Sequence, residues 1–264
     1  MVESYSLGVY WGARKESAWE CAQRMARCLS CLADCDASLS QWYQTGDSLE
    51  EALQHEVRLS EEALESLLLA SRNRSGNGRD VFEALGFTVG LWNGDVDPNG
   101  GVGIMMSCGK YAPIPAANFC SLDWPRQGPL TERLLQLPAL LTLLECQVTA
   151  WQPEWGVVES RTYRELMPFP TGGEPSMGWL VYLSDTRGTI PPLPSPARVV
   201  RLDSYGSVIV LTEERFTASS PEHVAHAARV GAMLGDAGLL KPLWGPPELK
   251  KSWQDSPTPS DEPG

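Results

Sequence analysis

The sequence is poor in the residues most enzymes work with. Of its 264 residues only three are histidine, His55, His223 and His226. A Ser-His-Asp or Cys-His arrangement therefore has little to draw on, and no Gly-x-Ser-x-Gly elbow occurs. The Gly-Lys-Thr and Gly-Lys-Ser triplets of phosphate-cradling loops are missing as well. Positive charge is scarce, with 21 lysines and arginines against 33 aspartates and glutamates and a formal net charge of −12. That balance disfavours direct contact with nucleic acid or an anionic membrane and suits a basic partner. Long apolar runs are lacking too: the longest, Leu134 to Leu144, is about half a membrane span and is broken by Pro138. Met1-Val-Glu-Ser-Tyr5 has neither the basic start nor the apolar stretch of a signal peptide, so the expected location is the cytoplasm. The seven cysteines are an odd number, and in that compartment they are expected to be reduced.

What is present reads as one folded α+β unit over residues 1–245, followed by a disordered tail rich in Pro, Ser and acid over 246–264. The chain is organised around its first strand and helix. Leu7, Val9 and Trp11 alternate with Gly8, Tyr10 and Gly12, the period of a half-buried strand. From Ala18 the apolar residues Cys21, Ala22, Met25, Cys28, Leu29 and Leu32 take helical spacing behind a cap at Ser17. Trp42 and Tyr43 then sit in a loop tucked against the core. Capping boxes or caps at Ser48 and Ser60 open two short helices. Residues 87–92 and 102–108 form a hairpin around Asn93 to Gly101, and 116–122 adds a strand. A helix is expected from Thr131 to Gln147, kinked or split at Pro138. Trp151, Pro153 and Trp155 read as an aromatic turn. Strands at 179–183, 198–202 and 207–211 and a helix from Pro221 to Leu234 complete a mixed or antiparallel sheet packed with helices, in one compact body or two lobes.

Three chemical readings compete with structural ones. Cys21, Cys28, Cys31 and Cys35 would span about 21 Å of helix axis, too far for four ligands on one ion, so they read as buried apolar thiols. Asp95-Val-Asp97-Pro-Asn99-Gly100 opens like a calcium loop, but Met106 stands where a bidentate Glu is needed, and turn chemistry explains the same residues. His223 and His226 lie one helical turn apart, a spacing zinc can use in a metal-dependent hydrolase, yet the nearby sequence supplies no complete ligand set. No metal or other cofactor is expected.

Tyr10-Trp11-Gly12-Ala13-Arg14-Lys15-Glu16, Cys21-Ala22-Gln23-Arg24 and Trp42-Tyr43 resemble the opening of the immunity protein 52 family. Gly178-Trp179-Leu180-Val181-Tyr182-Leu183-Ser184, a strand pair centred on Gly206 and Ala237-Gly238-Leu239-Leu240 are similar to its C-terminal half. The resemblance spans residues 5 to 244. It implies a non-catalytic antitoxin that binds and neutralises a cognate protein toxin, a restriction-endonuclease-like DNase of type VI secretion or polymorphic toxin systems. Within these motifs Trp11, Gly12, Arg14, Glu16, Trp42, Gly178, Trp179 and Tyr182 are read as structural, with Arg14 and Glu16 as an ion pair or a bond to backbone. For toxin contact the candidates are acidic: Glu61, Glu62 and Glu65 on one helix and Asp95 and Asp97 on the hairpin tip. A nuclease carries a positive groove for phosphate, and a protein that blocks it gains from being negative. Beside a metal-dependent hydrolase, the remaining alternative is an adaptor for a secretion apparatus.

Overall fold

The computed structural model describes residues 2–74, 80–97, 99–112, 117–167 and 173–244. Strand β1 (Tyr5–Trp11) runs into helix α1 (Ala18–Cys35). Ser17 caps that helix by accepting from the Glu20 N–H while Glu20 reaches back to the Ser17 N–H, a complete capping box. Then come β2 (Tyr43–Gln44), α2 (Leu49–Gln54), α3 (Glu61–Ala70), and strands β3 (Phe87–Trp92), β4 (Gly103–Cys108) and β5 (Asn118–Asp123). Helices α4 (Pro129–Leu134) and α5 (Leu137–Trp151) are the expected helix split in two, with Pro138 in the first turn of the second, where its missing N–H costs nothing. The chain closes through β6 (Trp155–Ser160), α6 (Arg161–Leu166), β7 (Leu180–Ser184), β8 (Arg198–Leu202), β9 (Gly206–Val210) and α7 (Pro221–Asp236).

Among the described residues the nine strands join one antiparallel sheet in the order β2-β3-β4-β5-β1-β6-β7-β9-β8. The first strand of the chain is thus the middle strand of the sheet, with β5 on one side and β6 on the other. Its alternation has a direct consequence. Leu7, Val9 and Trp11 enter a core built with α1 and α5, where Met25, Leu29 and Leu32 are fully buried. Each such side chain contributes about 1.5–3 kcal/mol of burial.

Three expectations change. Trp155 to Ser160 is a strand beside β1 rather than part of a turn, and only 152–154 make the turn, with Gln152 in the left-handed region at φ 49°. Every residue of β6 is buried, so it lacks the alternation that marks a half-exposed strand. Tyr43 and Gln44 pair with β3 instead of looping, although Trp42 is fully buried as expected. The cysteines are not all reduced: Cys31 of α1 is bonded to Cys146 of α5 across a sequence separation of 115. Spacing within α1 carries no trace of a partner that far away. The tail assigned to 246–264 lies outside the described residues.

Candidate protein-binding surface

The motif residues near β1 form a buried brace. Gly12 ends the strand, donating its N–H to Glu154 Oε1 at 3.0 Å while its carbonyl accepts from Asn118 Nδ2 at 2.7 Å. Trp11 stacks on Trp151 of α5 with ring centres 5.3 Å apart, and the Arg14 guanidinium lies over the Trp11 ring at 4.9 Å. The Glu16 carboxylate, with its side chain 6% exposed, sits between Arg24 Nε at 2.6 Å and Arg14 Nε at 3.0 Å. The first contact is a hydrogen-bonded ion pair; the second is an ion pair out of hydrogen-bond alignment. Arg24 also donates to the Ala150 carbonyl at 2.9 Å, tying α1 to the C-terminus of α5. After α1, Trp42 donates its indole N–H to the Leu39 carbonyl; in the other half Trp179 donates to the Thr212 carbonyl and the Tyr182 hydroxyl to Tyr205 O. Gly178 is there because a Cβ would stand 2.4 Å from Val158 O. The tryptophans and Tyr182 are buried, while Arg14 and Arg24 keep 26% and 18% of their side chains exposed, so the brace is mostly internal packing.

The acidic candidates lie on two separate elements. On α3 the buried Leu64 and Leu68 face the core, Glu62 is exposed, and Glu61 and Glu65 are half-buried. Glu61 also accepts from Gln23 Nε2 of α1 at 3.3 Å. At the β3–β4 tip Asp95 and Asp97 are exposed but built into the loop: Asp95 Oδ1 accepts from the Asp97 N–H at 2.9 Å, and Asp97 Oδ1 from the Asn99 N–H at 2.8 Å. The Asp95 carboxylate folds over Gly100, where a Cβ would meet it at 2.0 Å.

The hairpin borders a feature the sequence reading missed. On β3, β4, β5 and β1 the residues opposite in parity to the core make a second face, arranged by the register in lateral rows. Trp92, Gly103, Asp123 and Ser6 form one row; Gly90, Met105, Ser121 and Gly8 the next; Thr88, Ser107, Phe119 and Tyr10 the third. Thr88, Met105 and Asp123 are exposed, Met105 by 48%, while Trp92, Phe119, Ser121 and Tyr10 are half-buried. Small residues in the middle keep this face low. At Gly8 the Tyr10 ring lies over the position a Cβ would take. A hollow of about 280 Å³ opens there between Tyr10, Phe119, Asp123, Arg161 and Arg164, and Asp123 and Arg161 approach to 3.9 Å at its rim. Beside it a cleft of about 300 Å³ is walled by Tyr10, Trp155 and Trp244. That cleft holds Glu159, whose carboxyl is pushed up by burial and opposed by Arg164 at 3.4 Å. The signal for this face was available in the alternation of Thr88, Gly90 and Trp92 against Phe87, Val89 and Leu91, but it shows only once the neighbouring strands are known. Trp124, which flanks a turn as Trp92 does, is buried.

His223 and His226 are used inside the fold. Thr217 N–H donates to His223 Nδ1 at 3.1 Å, and the His223 ring stacks on Phe216. His226 is 7% exposed, with Nε2 buried and without a hydrogen-bond partner among the described residues; burial, and then Arg229, hold it below the ordinary histidine value, with the Leu211 backbone opposing them. Among the described residues no three His, Cys, Asp or Glu side chains converge as a metal site would require, and no described helix is long and apolar enough to cross a membrane.

An antiparallel sheet packed with helices, with a partly exposed aromatic face over β3, β4, β5 and β1 and acid at its hairpin edge, defines an α+β scaffold that presents surface. Residues 3–243 match the family model for Immunity protein 52, and the chain belongs to the immunity protein 52 family. No curated protein matches it. Among solved structures it is similar to the Pseudomonas aeruginosa T6SS protein PA0821, with a TM-score of 0.54 at 14% identity, covering 92% of this chain and 76% of that one. At that identity the likeness is one of fold.

Proposed function

We propose that this protein neutralises a cognate DNase toxin by binding it one-to-one in the cytoplasm, without turnover and without a cofactor. Membership of the immunity protein 52 family over residues 3–243 is the observation that carries this reading. The net charge of −12 supports a nuclease as the target, because a protein that closes a phosphate-binding groove is favoured when it is negative. Two surfaces are proposed for the contact. The first combines the apolar side chains Trp92, Met105 and Phe119 with acid from Asp95, Asp97 and Asp123 at their edge, the arrangement of an apolar interface core with a polar rim. The second is the α3 face of Glu61, Glu62 and Glu65.

The test is a titration of the purified toxin against a DNA cleavage assay. Activity is expected to fall linearly to an end point at one equivalent, and the association rate is expected to fall as salt rises. Continued cleavage at excess protein would overturn the reading, and a salt-independent rate would remove its electrostatic part. Exchanging Glu61, Glu62 and Glu65 for Lys, and separately Met105→Asp, then distinguishes the two surfaces by which one slows association or speeds release.

A further inference from the structure

The seven cysteines all meet another cysteine across an element boundary. Cys21 of α1 lies against Cys108 of β4, and Cys28 against Cys120 of β5. These four are at most 1% exposed and closed to reagents. The third group differs. Cys31 is bonded to Cys146 of α5, and the free Cys35 Sγ stands 3.6 Å from Cys146 Sγ. Cys31 and Cys35 are half-buried, one helical turn apart on the same face of α1, so both are aimed at Cys146. Bringing Cys35 Sγ to bonding distance takes a movement of about 1.5 Å, within reach of a side-chain rotation.

We propose that Cys31, Cys35 and Cys146 form a thiol–disulfide exchange site, in which the crosslink between α1 and α5 moves between Cys31–Cys146 and Cys35–Cys146. The Cys35 thiol loses its proton to solvent, and the thiolate attacks Cys146 Sγ. The Cys35–Cys146 bond forms as the Cys31–Cys146 bond breaks, and the electron pair leaves on Cys31, which takes up a proton. One disulfide and one thiol stand on each side of the step, so no oxidant is consumed. The device keeps α1 stapled to α5 when Cys31 is lost or modified. Burial first, and then the negative charge of Asp34, with smaller contributions from Cys28, Asp36 and Glu145, push the Cys35 thiol up, so exchange is slow at neutral pH.

The test uses full-length wild type, C31S, C35S and C146S held in oxidised glutathione, quenched with N-ethylmaleimide and mapped without reduction. C31S is expected to carry a Cys35–Cys146 crosslink, C35S only Cys31–Cys146, wild type both, and C146S neither. Folded C31S, judged by its circular dichroism, with no Cys35–Cys146 peptide would overturn the proposal. If C31S does not fold, native wild type decides: alkylation of both Cys31 and Cys35 over hours at pH 9 supports exchange, and labelling of Cys35 alone rejects it.

Discussion

Replacing Glu16 by Gln tests the brace beneath β1. The change keeps shape and removes one charge, leaving the Arg14 and Arg24 guanidiniums facing each other with their side chains 26% and 18% exposed. Breaking a buried ion pair by removing one partner costs about 3–5 kcal/mol. Partial exposure of both arginines lowers this to about 2–3 kcal/mol, since solvent screens what remains. For a chain of this size 1 kcal/mol moves the melting temperature by about 2–4 °C, so the variant is expected to melt roughly 5–10 °C below wild type. Calorimetry reads the shift directly. A double-mutant cycle with Arg24→Met isolates the pair, because in that background only the looser contact at 3.0 Å to Arg14 is left for Glu16→Gln to remove. A melting temperature unchanged to within about 1 °C would refute the reasoning and reopen Glu16 for a role in chemistry.

Other consequences follow from the same packing. The Asp36 carboxyl is lowered to about 2, chiefly by its hydrogen bonds from Arg133 and then by those from Ser38. Its folded value lies below the unfolded one, so it contributes about 1 kcal/mol, after screening, that is fully present above pH about 4 and lost as pH falls towards 2; Arg133→Met is expected to remove that part of the acid sensitivity in melts at pH 7 and pH 2.5. Gly178→Ala places a methyl 2.4 Å from Val158 O and is expected to destabilise by about 1–3 kcal/mol in urea melts, whereas Gly235→Ala, with open space around it, is expected to be neutral or stabilising. Cys146→Ser opens a crosslink over 115 residues of chain, for which loss of loop closure is worth up to about 4–5 kcal/mol, read as a lower urea midpoint than that of Cys35→Ser.

Where burial is one-sided, the pattern of the chain and the structure agree. The period-2 run of β1 and the helical stripe of α1 each place one face in the core, and each was legible from spacing alone. Pro138 marks the boundary between α4 and α5 for a local steric reason, and the caps at Ser17, Ser48 and Ser60 mark helix starts through local hydrogen bonds. Legibility ends where burial becomes two-sided. Strand β6 is sealed by its neighbours on both faces, so Trp155, Val157 and Glu159 are as hidden as Gly156 and Val158, and no alternation survives to be seen.

The surface is a harder case than the core for the same reason. Whether Trp92 or Met105 is free depends on which strands flank β3 and β4 and on where the helices lie, and both are properties of pairing between distant segments. The cysteines make the point sharply. Read along α1, Cys21, Cys28, Cys31 and Cys35 are four apolar side chains on one face, and that description is right for the first two. Partners on β4, β5 and α5 divide them into sealed contacts and a half-exposed group with a bond and a spare thiol. Chemistry at such a position is set by the third sulfur, 111 residues from Cys35, and only the sheet order and the α1–α5 packing bring it within 3.6 Å.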